Sequence, residues 1–242
     1  MGYKRNIPAA VTCPFAPSQS CRDCDCRKRC FFNFLSPAGM ESFRRMRRMR
    51  RCKPHQTLFS EGEQPQGFFI LCAGDVKVVK EDQRGRELIL MYLSCGDLVG
   101  DAAYFSGQPY CVSAEVMRES VICFLPKELC EELSAREPEF SRRLLQRAGR
   151  DLCRSMERTF NYAFRSAYGR LAGFLLTSRA PVASCRLPVN YSRREIAANL
   201  GLSPETVIRA LSVFQKRGFI RVSGKTIEVC DRAGLEDMIR VS

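Results

Sequence analysis

The sequence predicts an α+β chain: an N-terminal β-roll of the jelly-roll kind, then one long helix, then a C-terminal winged helix-turn-helix. Three observations carry this. Short apolar runs between Thr57 and Pro126 are broken by glycine, the apolar period turns helical from Pro138 to beyond Tyr162, and two capped helical patterns meet at Gly201. These shifts place a cysteine-rich arm at residues 1–33, the β-roll at 34–136, a dimerisation helix at 137–166 and the winged helix-turn-helix at 167–242.

The arm carries Cys13, Cys21, Cys24, Cys26 and Cys30 together with Pro8, Pro14 and Pro17, and it has neither helical nor strand periodicity. Cys21, Cys24, Cys26 and Cys30 are separated by polar and charged residues alone, so burial in a core does not explain them. Thiolates that converge on one point do. An all-thiolate set selects zinc, copper(I) or an iron-sulfur cluster, because sulfur is soft and polarisable. From Pro37 to Lys53 the spacing of Met40, Phe43, Met46 and Met49 predicts a helix with arginines over its outer surface, either solvated or offsetting the charge of thiolates nearby.

In the roll, the runs Phe68 to Cys72, Val76 to Val79, Leu88 to Leu93, Val112 to Val116 and Val121 to Leu125 read as strands. Glycines from Gly62 to Gly107 punctuate them, which suits about eight antiparallel strands by ordinary strand and loop lengths. In the long helix, Leu145, Ala148, Leu152, Ser155, Thr159 and Tyr162 follow a three-then-four spacing. That is a coiled-coil seam, narrow and weakly apolar, which most simply pairs with its twin and suits an interface that must be switched; the alternative is that it packs on its own β domain.

The C-terminal pattern is the most explicit. Ser192 and Glu195 form a capping box, Ile196, Ala197 and Leu200 face a core, and Gly201 turns the chain into a second helix with Ser203 as cap and Pro204 at its first position. Val207, Leu211 and Phe214 take the buried side. Glu205, Ile208, Arg209 and Ser212 are left outward at the end that enters a major groove, where Arg209 can donate two hydrogen bonds to guanine and Glu205 can accept from cytosine. Phe219 to Val222 and Thr226 to Val229, joined at Ser223-Gly224, form a hairpin wing.

Composition agrees with a nucleic-acid partner. The 242 residues carry a formal net charge of +13 and a pI near 9.3, which favours a polyanion. There is no apolar run long enough to span a bilayer and no leader-like N-terminus, so we expect a cytoplasmic protein whose fourteen cysteines stay mostly reduced. An iron-sulfur or cysteine-based oxidoreductase is disfavoured: there is no dinucleotide fingerprint, and the single histidine, His55, sits in a Lys-Pro-His-Gln loop.

The order of elements, with Leu58-Phe59-Ser60-Glu61-Gly62-Glu63, Gly96-Asp97-Leu98-Val99-Gly100, Arg170-Leu171-Ala172-Gly173-Phe174 and Leu200 to Arg209, resembles the CRP/FNR family of bacterial transcription regulators. The resemblance implies a roll like that of cyclic-nucleotide-binding domains, a homodimer on a palindromic operator, and activation through contact with RNA polymerase around Asp101 to Gly107, with repression possible at other promoters. Cyclic-AMP-binding members hold the phosphate with an arginine and a serine. Here Pro109-Tyr110-Cys111 occupies that place, so a cyclic nucleotide is not expected. The oxygen-sensing FNR branch has three arm cysteines separated by two and then five residues, and a fourth just ahead of a proline in the roll. Cys21, Cys24 and Cys30 keep that spacing, and Cys123 in Ile122-Cys123-Phe124-Leu125-Pro126 supplies the fourth.

The resemblance thus implies a [4Fe-4S] cluster on Cys21, Cys24, Cys30 and Cys123 that promotes the DNA-binding dimer in low oxygen. Cys26 becomes the spare, with Cys13 and Cys111 as reserve ligands. The rival on the same fold is zinc or thiol/disulfide chemistry. Ile208 departs from the serine usual in the FNR recognition helix, which leaves the outer base of the half-site open.

Overall fold

A computed structural model describes residues 30–177, 191–224 and 226–240. Its elements are α1 (Pro37–Met46), β1 (Arg48–Cys52), β2 (Thr57–Phe59), β3 (Gly67–Ala73), β4 (Asp75–Glu81), β5 (Glu87–Ser94), β6 (Leu98–Val99), α2 (Asp101–Ser106), β7 (Ser113–Val116), β8 (Ser120–Pro126), α3 (Lys127–Arg136), α4 (Pro138–Phe164), α5 (Ala167–Thr177), α6 (Arg193–Leu200), α7 (Pro204–Lys216), β9 (Ile220–Ser223), β10 (Thr226–Val229) and α8 (Arg232–Arg240). They divide into two compact units. One runs to Lys80 and resumes over Leu90–Gly149; the other takes Glu81–Ile89 and everything from Arg150.

The first unit is built on two four-stranded sheets, ordered β1-β8-β3-β6 and β2-β7-β4-β5. Strands β3 and β8 form a wall one residue thick, because side chains alternate across a strand. Phe68, Ile70, Cys72, Cys123 and Leu125 point to one core, shared with Phe32, Phe43, Leu129, Leu133 and Phe140. Phe69, Leu71 and Ile122 point to the other, shared with Phe59, Val76, Val78, Tyr110 and Ala114. The turn between β3 and β4 requires glycine: Gly74 has φ 97°, and a Cβ there would lie 1.9 Å from Ser120 Oγ.

The expected helix over Pro37 to Lys53 is shorter than the spacing suggested. Ser36 caps α1 by accepting from the Gly39 amide, but Arg47 is extended and the chain continues as β1, paired antiparallel to β8 with Met49 opposite Cys123. Edge pairing on β8 outweighs the helix propensity of arginine and methionine, and local spacing does not register such a distant partner. Met40, Phe43, Met46 and Met49 nevertheless reach one core, the last from a strand.

The second unit is a helical core closed by the β9–β10 hairpin. Leu171, Ala172, Leu175, Ile196, Ala197, Leu200, Val207, Ala210, Leu211, Phe214, Ile220, Ile227 and Leu235 are buried together. Helix α8, which contributes Leu235 and was not anticipated, packs along α5.

Candidate nucleic-acid interface and thiolate site

The local signals at the second helix pair hold atom for atom. Ser192 Oγ accepts from the Glu195 amide at 3.1 Å, and Glu195 accepts from the Ser192 amide at 2.7 Å. Gly201 ends α6 in the left-handed region at φ 61°, its amide bonded to the Ala197 carbonyl. Ser203 then caps α7 by accepting from the Thr206 amide at 3.2 Å. With Val207, Ala210, Leu211 and Phe214 buried, Glu205, Ile208, Arg209 and Ser212 are all exposed on the opposite side. Hydrogen bonds from its own amide at the helix N-terminus and from Ser203 hold the Glu205 carboxyl below the usual carboxylate range, so it presents an acceptor. The hairpin beside it pairs Thr226 with Ser223 and Val229 with Ile220.

The cysteines sort by face. Cys123 is fully buried in the Phe32–Phe140 core, and Cys30 packs against that same core. What brings Cys30 there is the aromatic run after it. The Phe32 ring lies 4.7 Å from Phe43 and 6.0 Å from Phe140, and the Asn33 amide turns back to the Cys30 carbonyl at 3.1 Å. Cys52 is buried in the other core, while Cys111, Cys153 and Cys230 are exposed. Cys13, Cys21, Cys24 and Cys26 lie outside the described residues. Among the described residues no group of three or more His, Cys, Asp or Glu could hold a metal ion, so two of the four expected ligands have a described place.

Two neighbours of Cys123 were not anticipated in this role. Cys72, at the end of the Phe68 to Cys72 run, has its sulfur 3.3 Å from that of Cys123. Arg47 hydrogen-bonds the Cys123 thiol with its guanidinium 5.2 Å above the Phe43 ring. The bond to Cys72 and burial push the Cys123 thiol far above the ordinary thiol range, and Arg47 opposes them without winning. No sequence period marks Arg47, because it lies in the break between α1 and β1.

Tyr110 is buried in the core that contains Phe59, stacked on that ring at 3.8 Å, and its hydroxyl donates to the Gly67 carbonyl at 3.3 Å. Burial, with help from Glu63, pushes its pKa up to about 12, so the phenol is neutral. Asp101 is not free to act at a surface. Arg147 Nε donates to it at 2.9 Å and Arg147 also reaches the Leu98 carbonyl.

On α4, Leu145, Ala148, Leu152, Ser155 and Thr159 are exposed. Tyr162 departs from the seam: its hydroxyl donates to the Asn199 carbonyl at 2.8 Å, and Arg158 and Arg170 flank its ring. That own-chain hydrogen bond, not its angle around the helix, takes Tyr162. The apolar strip is instead completed by Met156, Phe160 and Phe164, all more than half exposed.

A β-roll followed by a long helix and a winged reader with an outward acceptor and an outward guanidinium defines a DNA-binding transcription regulator. Residues 49–137 match the cyclic nucleotide-binding domain and residues 169–238 the Crp-like helix-turn-helix domain. The chain is 30% identical over 180 residues to the CRP-like cAMP-activated global transcriptional regulator of Mycobacterium tuberculosis, covering 72% of this chain and 80% of that one. It is 25% identical over 228 residues to the fumarate and nitrate reduction regulatory protein of Vibrio cholerae, covering 92% and 91%. The solved structure of FixK2 from Bradyrhizobium japonicum shares the fold, with a TM-score of 0.71 at 24% identity over 79% of this chain and 96% of that one. The protein belongs to the CRP/FNR family of transcription regulators. Its relatives are regulators and not enzymes. Among the described residues no helix is long and apolar enough to cross a membrane.

Proposed function

We propose that this regulator responds to oxygen through a [4Fe-4S] cluster held by Cys21, Cys24, Cys30 and Cys123, and that the cluster favours the DNA-binding homodimer when oxygen is low. The observation that carries the reading is that Cys30 and Cys123 meet one core, with the Phe31-Phe32 anchor fixing the end of the arm beside the roll. The two donors with a described place, Cys30 and Cys123, are thiols against an apolar core, and an all-thiolate set fits a soft metal group. Such a cluster would supply iron–thiolate bonds that oxygen can break. The chain's own part is to tie the arm to β8 while those bonds last, and so to bias the strip on α4 toward pairing. A bias of a few kcal/mol is enough, since each 1.4 or so is about tenfold in population.

Tyr110 supports the choice against a cyclic nucleotide, because a neutral, buried ring stands where the resemblance calls for a cation. The fumarate and nitrate reduction regulator among the relatives points the same way. Contact with RNA polymerase would fall on the exposed part of α2 around Phe105. The test is iron, sulfide and zinc analysis with a visible spectrum of protein purified without oxygen, for wild type and Cys123→Ser. About four irons per chain, a chromophore bleached by air and its loss in the variant are expected. A colourless zinc protein unaffected by the substitution would overturn the reading in favour of the zinc or thiol alternative.

A further inference from the structure

We propose that Cys72 and Cys123 form an intrachain disulfide when the thiolate site is oxidised by a peroxide, and that this bond withdraws Cys123 from the ligand set. The second part rests on the proposed ligand role of Cys123; the bond itself rests on geometry.

The two residues lie on adjacent antiparallel strands, β3 and β8, and face the same core. Direct partners across this ladder are Ile70 with Cys123 and Leu71 with Ile122; the register then shifts before Ala73 meets Val121. Cys72 sits at that irregularity. It keeps the face of Phe68 and Ile70, and its sulfur ends 3.3 Å from that of Cys123. Closing to a disulfide bond of about 2.05 Å asks for little more than side-chain rotation. The separation is also shorter than the roughly 3.8 Å between two thiolates on one tetrahedral metal with metal–sulfur bonds of about 2.3 Å. Ligands of a four-iron cluster bind separate irons and stand farther apart still. The pair is therefore arranged for bonding to itself, and Cys72 is not arranged as a fifth ligand.

The chemistry balances with one peroxide. Cys72, the less buried of the two at 8% exposure against 0%, takes the oxidant. The O–O bond breaks, the sulfur becomes a sulfenic acid and one water leaves. The Cys123 sulfur, free of metal and carrying its proton, then attacks the Cys72 sulfur, the S–S bond forms, and the hydroxyl leaves as a second water with the Cys123 proton. Two thiols and one peroxide give one disulfide and two waters. A sulfur in that bond has no thiolate to offer iron, so recovery of the site needs a thiol reductant.

The experiment uses full-length protein purified without oxygen, with iron measured first. It is treated with one equivalent of hydrogen peroxide, alkylated under denaturing conditions, digested and mapped by mass. A peptide linking Cys72 to Cys123 that disappears on reduction is expected in most wild-type molecules, with Cys123 recovered outside that link in Cys72→Ala and Cys72→Ser at unchanged initial iron. Recovery of both cysteines alkylated in wild type, or of Cys123 linked to Cys21, Cys24 or Cys30, overturns the proposal. Wild type without iron overturns the cluster reading instead, and the peptide map still decides the disulfide.

Discussion

At the scale of single residues, the reading head makes the sharpest demand. Arg209 is exposed and unobstructed beside Glu205, so Arg209→Lys should cost about 1–3 kcal/mol of specific binding, the worth of a bidentate base contact. Electrophoretic mobility shifts on operator and scrambled DNA would measure it, with nonspecific binding nearly unchanged. Ser192→Ala removes one half of a reciprocal cap and should destabilise the C-terminal unit by about 1 kcal/mol in denaturant melts. Tyr110 makes a pH prediction. Its folded pKa of about 12 lies above the ordinary value of about 10, so the folded state prefers the neutral phenol. That contribution is intact below pH 10 and is lost as pH rises toward 12. Tyr110→Phe should flatten the stability curve in that window, read by thermal unfolding across alkaline buffers.

Elements divide according to how local their causes are. Helices α6 and α7 were legible residue by residue, since a capping box, a left-handed glycine and a proline at the first position act within one turn. Strand β1 was not, because its cause is β8, far along the chain, and Arg48 to Cys52 alone reads as helix. On α4 the three-then-four spacing from Leu145 selects Ser155 and Tyr162, whereas Met156 and Phe160 are larger exposed apolar side chains on the same helix. The two alternatives separate cleanly in sedimentation: Met156→Glu should weaken self-association at least tenfold, whereas Tyr162→Phe should leave it unchanged and loosen only the Asn199 contact. Spacing suggested a thiolate site, of which Cys30 and Cys123 have a described place. The closeness of Cys72 to Cys123 was not legible, because their strands β3 and β8 lie far apart along the chain.

For the whole molecule, the net charge of +13 makes binding depend on salt: the logarithm of affinity should fall linearly with the logarithm of salt, by about 0.9 per phosphate neutralised. A titration that varies salt on one operator gives the slope directly, and a flat line would deny phosphate contact altogether. The β3–β8 wall has a further consequence of its own. Because two cores share one sheet, a slip of a single residue between these strands would exchange every passenger: Cys72 would turn toward Tyr110 and Phe59, and Leu71 would take its place. The irregularity between Leu71 and Ala73 thus sits beside the proposed ligand Cys123, and a one-residue deletion in β3 should abolish the iron binding proposed for Cys123, read by iron analysis, while a deletion in the Asp82–Gly85 turn is tolerated.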